Sequence, residues 1–340
     1  MSILAAGAPL DGRQGVVDAP VTVTRLLDRP IIAPDTDPSI GPNIQGPSLI
    51  RVPEWVSGRL GKYYLYFADH KGKYIRLAYA DNLLGPWRVH VPGSLQLEGS
   101  FLLTEPPTGP PEAIETIRET PRPAFLPHDL IVEATTPHIA SPDVHVDERN
   151  RQIVMYYHGL NGLQQQVTRA ATSTDGIRFA ARPEILGRTY FRAFAHDGYT
   201  YAMSMPGQFY RSRNPLSEFV QGPLLFNPQM RHSALLKRGT TLYVFWTQVG
   251  HAPESIMVST IELSTGWSAW TATPGVEVLR PERTWEGADA PVIASQRSTA
   301  YGHVNQLRDP AVFEEGGRVF LLYAVAGESG IAIAEARFTK

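Results

Sequence analysis

The residues able to do chemistry in this chain of 340 residues fall at recurring places. A first set opens apolar runs: Gln45 ahead of Gly46-Pro47, His138 and Asp143 around Ser141-Pro142, Arg192 after Phe191, Arg231-His232, and Arg308-Asp309 ahead of Pro310. A second set closes aromatic runs: Asp69-His70, His158 and Gln248, with His251 and Glu254 in the stretch that follows. Glu286 stands beside Trp285, and His303 precedes Gln306 on the way to Arg308. Buried arginine and aspartate are costly unless paired or used on a ligand, so charges at strand starts carry information. Histidines aimed at one cavity suit proton transfer, because their pKa lies near neutrality, and their nitrogens suit a metal. With no cysteine present, disulfides, thiolate metal sites and cysteine nucleophiles are excluded.

These residues are far apart in sequence and can meet only if the fold is radial. The chain repeats one unit: an apolar strand with a polar start, a small-residue turn, an aromatic-rich strand, and a third strand of alternating character. The second strands begin near Tyr63, Gln152, Tyr199, Thr241 and Arg318. Their turns include His196-Asp197-Gly198 and Glu315-Gly316-Gly317, where glycine tolerates the positive φ of a tight hairpin. Long helical periodicity is nearly absent. Five meanders of this kind predict an all-β, five-bladed β-propeller, since neighbouring blades cover each other's faces and ring closure protects the edges. We expect one domain over residues 1–340, with insertions at about 95–135 and 264–305. The first insertion holds a helix-like stretch, Pro111 to Glu119, and a proline-rich run to Pro127. Val21 to Ile32 supplies a strand that closes the ring beside the last blade.

Composition narrows the partners. Lysine and arginine number 31 against 33 aspartates and glutamates, a formal charge of -2, which argues against a nucleic-acid binder or a polybasic membrane-surface protein. No stretch approaches a transmembrane span, and the first eighteen residues lack a basic start and a long apolar segment. A cytoplasmic protein is the expectation, or a secreted or periplasmic one if a leader was removed. Neither a phosphate-binding loop nor a serine-hydrolase elbow occurs in the right setting.

Three features carry a resemblance. They are Arg308-Asp309-Pro310-Ala311-Val312-Phe313, the aromatic strands Tyr63–Phe67 and Val319–Tyr323, and the Asp81 to Trp87 segment ending in Gly85-Pro86-Trp87. Together they make the chain from about Asn43 to Phe338 resemble the five-bladed β-propeller glycoside hydrolases of the arabinanase, β-xylosidase and arabinofuranosidase type. The resemblance implies a hydrolase acting on an oligosaccharide in a central pocket. Those families use an aspartate base on the first blade, an aspartate that tunes the acid on a middle blade, and a glutamate acid on a later one. Here the first position matches Gln45-Gly46, the second falls near Arg192 and the third near Arg231-His232, so the family's carboxylates are not at their places.

Hydrolysis therefore has to draw on other carboxylates, namely Asp69, Asp143, Glu254, Glu286 and Asp309. Two of them must flank the glycosidic bond, roughly 5–5.5 Å apart for retention and roughly 6.5–9.5 Å for inversion. Glu286 is the expected acid, because Trp285 would raise its pKa by desolvation; Asp143 or Asp69 is the base, with His138 or His232 orienting. Elimination is the alternative: Arg192, Arg231 and Arg308 clamp a uronate carboxylate, His138 or His232 takes the adjacent proton, and Tyr210 or another histidine donates to the leaving oxygen. A third reading is a glycan-binding propeller without turnover. Gln45, His70, His158, Glu254, Trp285 and Asp309 are expected to contact the sugar in all three. A calcium or zinc ion on the axis would draw on His138, His232, His303 or Asp309.

Overall fold

The computed structural model describes residues 19–119 and 130–339. Its strands form five four-stranded antiparallel sheets, each a meander, arranged as the blades of a propeller. Blades 1 to 4 begin with the inner strands Gln45–Arg51, Ile139–Asp147, Arg192–His196 and Met230–Arg238. Blade 5 takes Arg308–Glu315, Arg318–Ala324 and Ile331–Phe338 from the end of the chain. Its outer strand is Val21–Arg25, which runs antiparallel to Ile331–Phe338 with Val21 opposite Phe338. The ring is thus closed by pairing the two ends of the described chain.

The aromatic second strands read as continuous apolar runs because both of their faces are buried. Side chains alternate across a strand, so one run serves two interfaces. In blade 1, Tyr64 and Tyr66 pack toward blade 2 with Met155 and Tyr157, while Tyr63, Leu65 and Phe67 pack toward blade 5 with Leu322 and Ile333. In blade 4, Val244 and Trp246 join Met203 and Phe209 of blade 3, and Phe245 turns to Leu321 and Tyr323 of blade 5. Val154 and Tyr156 meet Phe191 and Ala202 between blades 2 and 3. Five apolar cores, one between each pair of neighbours, hold the ring.

The inner strands share one irregularity that builds the site. In blades 1, 2, 4 and 5 the register slips by one residue just after the strand begins, at Gly46-Pro47, Ser141-Pro142, Arg231-His232 and Asp309-Pro310. A bulge re-aims the side chains around it. Gly46, Ser141 and Asp309 take left-handed backbone there, with φ of 63°, 49° and 47°. Gly46 is required to be glycine, since an added Cβ would lie 2.9 Å from the Ser141 Cα. Tyr190, with φ of 69°, holds the same place in blade 3, two residues before Arg192 as Ser141 is two before Asp143.

Two helices, α1 (Pro111–Glu119) and α2 (Leu130–Thr135), stand in the first insertion. The expected helix falls at α1, α2 was not anticipated, and most of the proline-rich run lies outside the described residues. The second insertion is not wholly extra to the blades, because the outer strand of blade 4, Val276–Leu279, lies inside it. Among the described residues no helix is long and apolar enough to cross a membrane.

Candidate active site

A cavity of about 560 Å³ opens on the face where the inner strands begin. Gln45, His70, Lys71, His158, Tyr190, Arg231 and His232 line its base and walls. α1 and α2 contribute Ile117, Leu130 and Glu133, and the second insertion contributes Gln296, Arg297 and Ser298. Blade starts, second-strand ends and both insertions therefore converge on one space.

Tyr190 is central to it. Its hydroxyl donates to Asp309 Oδ1 at 2.7 Å, its ring stacks on His232 with centroids 5.2 Å apart, and the His158 ring lies 6.0 Å away. Burial, with Asp309 beside it, holds the phenol well above its ordinary pKa. Asp309 is itself held above the usual carboxylate range, first by burial and then by the charge of Glu328. His232 and His158 are pushed well below the ordinary imidazole value by burial, then by Arg231 in the first case and His138 in the second, so both are neutral. His158 Nδ1 is buried without a hydrogen-bond partner.

Beneath this surface lies a fully buried ionic network. Arg308 reaches Glu328 at 2.8 Å through Nη1 and Glu254 at 3.3 Å through Nε, and Arg231 Nη1 lies 3.6 Å from Glu254. Gln306 Oε1 accepts from Arg308 Nε at 2.9 Å. Glu328 also accepts from Asn43 Nδ2 at 2.9 Å and lies 3.3 Å from His70 Nδ1. Burial alone would raise the Glu328 pKa, but His70, Arg308 and Asn43 hold it far below the usual value. His70, which is partly exposed to the cavity, is thus an imidazole oriented by a buried carboxylate, the arrangement that fixes a base toward its substrate.

The anticipated residues divide sharply. Gln45, His70, His158, Arg231 and His232 line the cavity. Asp309 stands behind Tyr190 and His232, and Glu254 and Arg308 lie deeper, engaged with each other. Arg308 is therefore no clamp on a ligand; its donors are taken. His138 is buried behind His158, its Nδ1 2.8 Å from the Thr136 carbonyl and its pKa pushed down to about 3, chiefly by burial. Asp69 caps its own turn by accepting from the Lys71 N–H at 2.8 Å, while its neighbours His70 and Lys71 reach the cavity. Tyr210 packs on Phe191 between blades 2 and 3.

Two residues assigned to the central chemistry belong to the opposite face. Arg192 turns away beneath Tyr190, its guanidinium 4.1 Å from that ring, and donates to the carbonyls of Pro142 at 3.1 Å and Ser233 at 3.0 Å. It lines a separate opening of about 430 Å³, together with Asp143 and His145. Asp143 Oδ2 accepts from His145 Nε2 at 2.7 Å and from the Ala193 N–H at 2.8 Å. Burial opposes both charges, yet the pair lowers the Asp143 pKa and raises that of His145. The His145 imidazole is accordingly expected to titrate above its ordinary value of 6.5. In Asp143→Asn the NMR titration of that ring should move to lower pH; an unchanged midpoint would show the pairing to be without effect.

Glu286 and Trp285 do not reach the cavity at all. Glu286 is fully buried against the ring closure, where Arg25 grips it through Nε and Nη2, both at 2.8 Å. The Glu282 and Arg283 N–H groups and the Tyr323 hydroxyl occupy its remaining lone pairs. Trp285 packs on the core between blades 4 and 5. Glu286 therefore fastens the N-terminal strand rather than carrying a proton to substrate. Arg25→Met should cost about 2 kcal/mol, a charge-assisted bond lost beside a buried carboxylate. It should leave ligand affinity in the cavity unchanged, as read by denaturant unfolding and titration.

The side chains proposed for a metal on the axis do not gather at one point. His303 is exposed and paired with Asp289 at 2.7 Å, and His138 is bonded to Thr136, which leaves His232 and Asp309 alone together, 3.5 Å apart. Among the described residues no three histidine, aspartate or glutamate side chains gather as ligands.

The residues that reading by blade equivalence missed are Tyr190, Lys71, Glu133, Arg297 and Glu328. Tyr190 sits one residue before the position matched in blade 3. Glu328 follows the second strand of blade 5 as His70 follows that of blade 1, and the same second-strand rule carried a few residues further reaches it.

No family model matches the sequence. "Uncharacterized protein R118" of Acanthamoeba polyphaga mimivirus is 35% identical over 316 residues, covering 85% of this chain and 82% of the viral protein. Among solved structures, a β-xylosidase/α-arabinofuranosidase of glycoside hydrolase family 43 from a compost microbial metagenome superposes with a TM-score of 0.54 at 10% identity, covering 94% of this chain and 96% of its own. An exo-β-1,3-galactanase of Phanerochaete chrysosporium gives 0.55 at 11% identity, over 93% of this chain and 64% of its own. A thermostable family-43 glycoside hydrolase gives 0.52 at 14% identity, over 87% and 89%. At such identities the likeness is one of fold alone: a five-bladed propeller like those of the family-43 glycosidases.

Proposed function

This chain belongs to the same family as the mimivirus protein, and we propose that it is a carbohydrate-cleaving enzyme that takes an acidic oligosaccharide into the central cavity. The fold supports a carbohydrate as substrate, since the propellers it superposes on are glycosidases. One observation carries the acidic part. Lys71, Arg231, Arg297, three histidines and Tyr190 line the cavity, whereas Glu133 is the one carboxylate among the described lining residues and is already paired with Lys71.

This lining suits β-elimination better than hydrolysis by two carboxylates. Lys71 and Arg297 hold the sugar's carboxylate and so acidify the proton on the carbon next to it. His70, oriented by Glu328, takes that proton. The carbon–oxygen bond to the leaving sugar breaks as the double bond forms. Tyr190 delivers a proton to the departing oxygen and is resupplied by Asp309, whose carboxyl burial keeps partly protonated.

A second reading has support from Asp309 itself, because a carboxyl with a raised pKa is what a hydrolase uses as its acid. Incubation with neutral and uronate-containing oligosaccharides separates the readings. Elimination gives an ultraviolet-absorbing unsaturated uronate, and hydrolysis gives products heavier by one water with no such absorbance. Saturable binding without either product would leave a glycan-binding propeller.

A further inference from the structure

Glu133 comes from α2 rather than from a blade, and its carboxylate ties three parts of the molecule together. Lys71 Nζ, from the turn after the second strand of blade 1, lies 3.0 Å from it, and the Ser298 hydroxyl of the second insertion donates to it. The Lys71 and Glu133 side chains are 10% and 17% exposed, so the pair is largely sheltered from water. Arg297 and Gln296 line the cavity beside it. A carboxylate gripped by a lysine and a hydroxyl, in a cavity otherwise lined by cations and imidazoles, has the chemistry of a bound ligand's acid group.

We infer that Glu133 occupies the seat of the substrate carboxylate, and that an acidic sugar enters by displacing Glu133 from Lys71 and Ser298. This rests on the reading of the cavity as an acidic-sugar site. The exchange is selective for a simple reason. A uronate replaces one carboxylate by another, so Lys71 remains paired. A neutral sugar that parted the two would leave the sheltered Lys71 ammonium without a counter-charge, which costs several kcal/mol. Discrimination thus comes from the penalty on the wrong ligand as much as from contacts with the right one.

Calorimetric titration with sodium D-galacturonate and sodium D-glucuronate, and with D-galactose and D-glucose as neutral controls, tests this on the full chain. Wild-type protein should prefer the acids. Glu133→Gln should bind them on the order of tenfold more tightly, having no charge to displace, and Glu133→Asp, one methylene too short to fill the seat, should tighten them by a smaller factor. Lys71→Met should lose the preference for acid over neutral sugar. If wild type prefers the acids but neither Glu133→Gln nor Glu133→Asp binds them more tightly, the displacement is wrong and the acidic-sugar site stands. If wild type shows no preference for acid, both fall. Glu133→Asp loosens the same contact without changing charge, so a fold defect in Glu133→Gln would not decide the matter.

Discussion

Replacing Arg308 by methionine is expected to destabilise the protein by about 3–5 kcal/mol, the cost of stranding buried charges when their partner is removed. Arg308 is one of the largest fully buried side chains and holds Glu254 and Glu328 at once, with Ser298 of the second insertion accepting from Nη1 at 3.0 Å. Glu254 has Arg231 as a further charge partner, but Glu328 would keep only Asn43 and His70. The deficit should depend on pH in a definite direction. In wild type the folded-state pKa of Glu328 is depressed, so its contribution to stability is present above the unfolded carboxylate value and lost as pH falls through the folded one. Without Arg308 that pKa rises, so the variant loses its carboxylate contribution at higher pH. As the stranded carboxylates take up protons their penalty is relieved, and the gap between variant and wild type narrows toward acid. Urea unfolding of both proteins across the acid range measures this, and Arg308→Met combined with Glu328→Gln should recover part of the loss. A constant gap at every pH would mean that lost packing, not stranded charge, sets the cost.

The same network marks where sequence reasoning succeeded and where it stopped. Blades were legible because alternation and hairpin turns are local: Tyr63 to Phe67 announces a strand buried on both faces without reference to the rest of the chain. Equivalence between blades then placed Gln45, Arg231 and His232 at the cavity, since their register is fixed by the strand they begin. In blade 3 the left-handed residue, Tyr190, lies one residue earlier than the match assumed. A shift of one residue reverses the direction of a side chain. That shift put Arg192 on the far face and Tyr190 on the near one. Asp143 failed for the same geometric reason, standing past the bulge of its strand and facing the other opening. Glu286 failed differently. It belongs to a long insertion with no repeat to register it, and a tryptophan neighbour says that a carboxylate is near apolar surface without saying which surface. Arg25, from the other end of the sequence, decides that.

The largest effect on turnover is expected from His70→Gln. His70 stands at the meeting of the buried network and the cavity, one ring nitrogen against Glu328 and the side chain partly open to the ligand space. Glutamine retains a donor and an acceptor, so contacts with Glu328 and with sugar hydroxyls can persist, but it cannot accept a proton from carbon. Loss of a general base typically lowers the rate by about 10²–10⁴-fold. The loss should fall on kcat, with KM for the acidic oligosaccharide little changed, because the cations that hold the carboxylate are untouched. Glu328→Gln should give a smaller fall in kcat, because a neutral partner still orients the ring but places no negative charge beside it. Comparison with Tyr190→Phe completes the assignment. That variant keeps the base and lacks the donor, so it should depend on the leaving group: a better leaving group should restore its rate and should do much less for His70→Gln. If His70→Gln raises KM and leaves kcat intact, His70 only binds sugar, and the proton must be taken by one of the neutral imidazoles beside Tyr190.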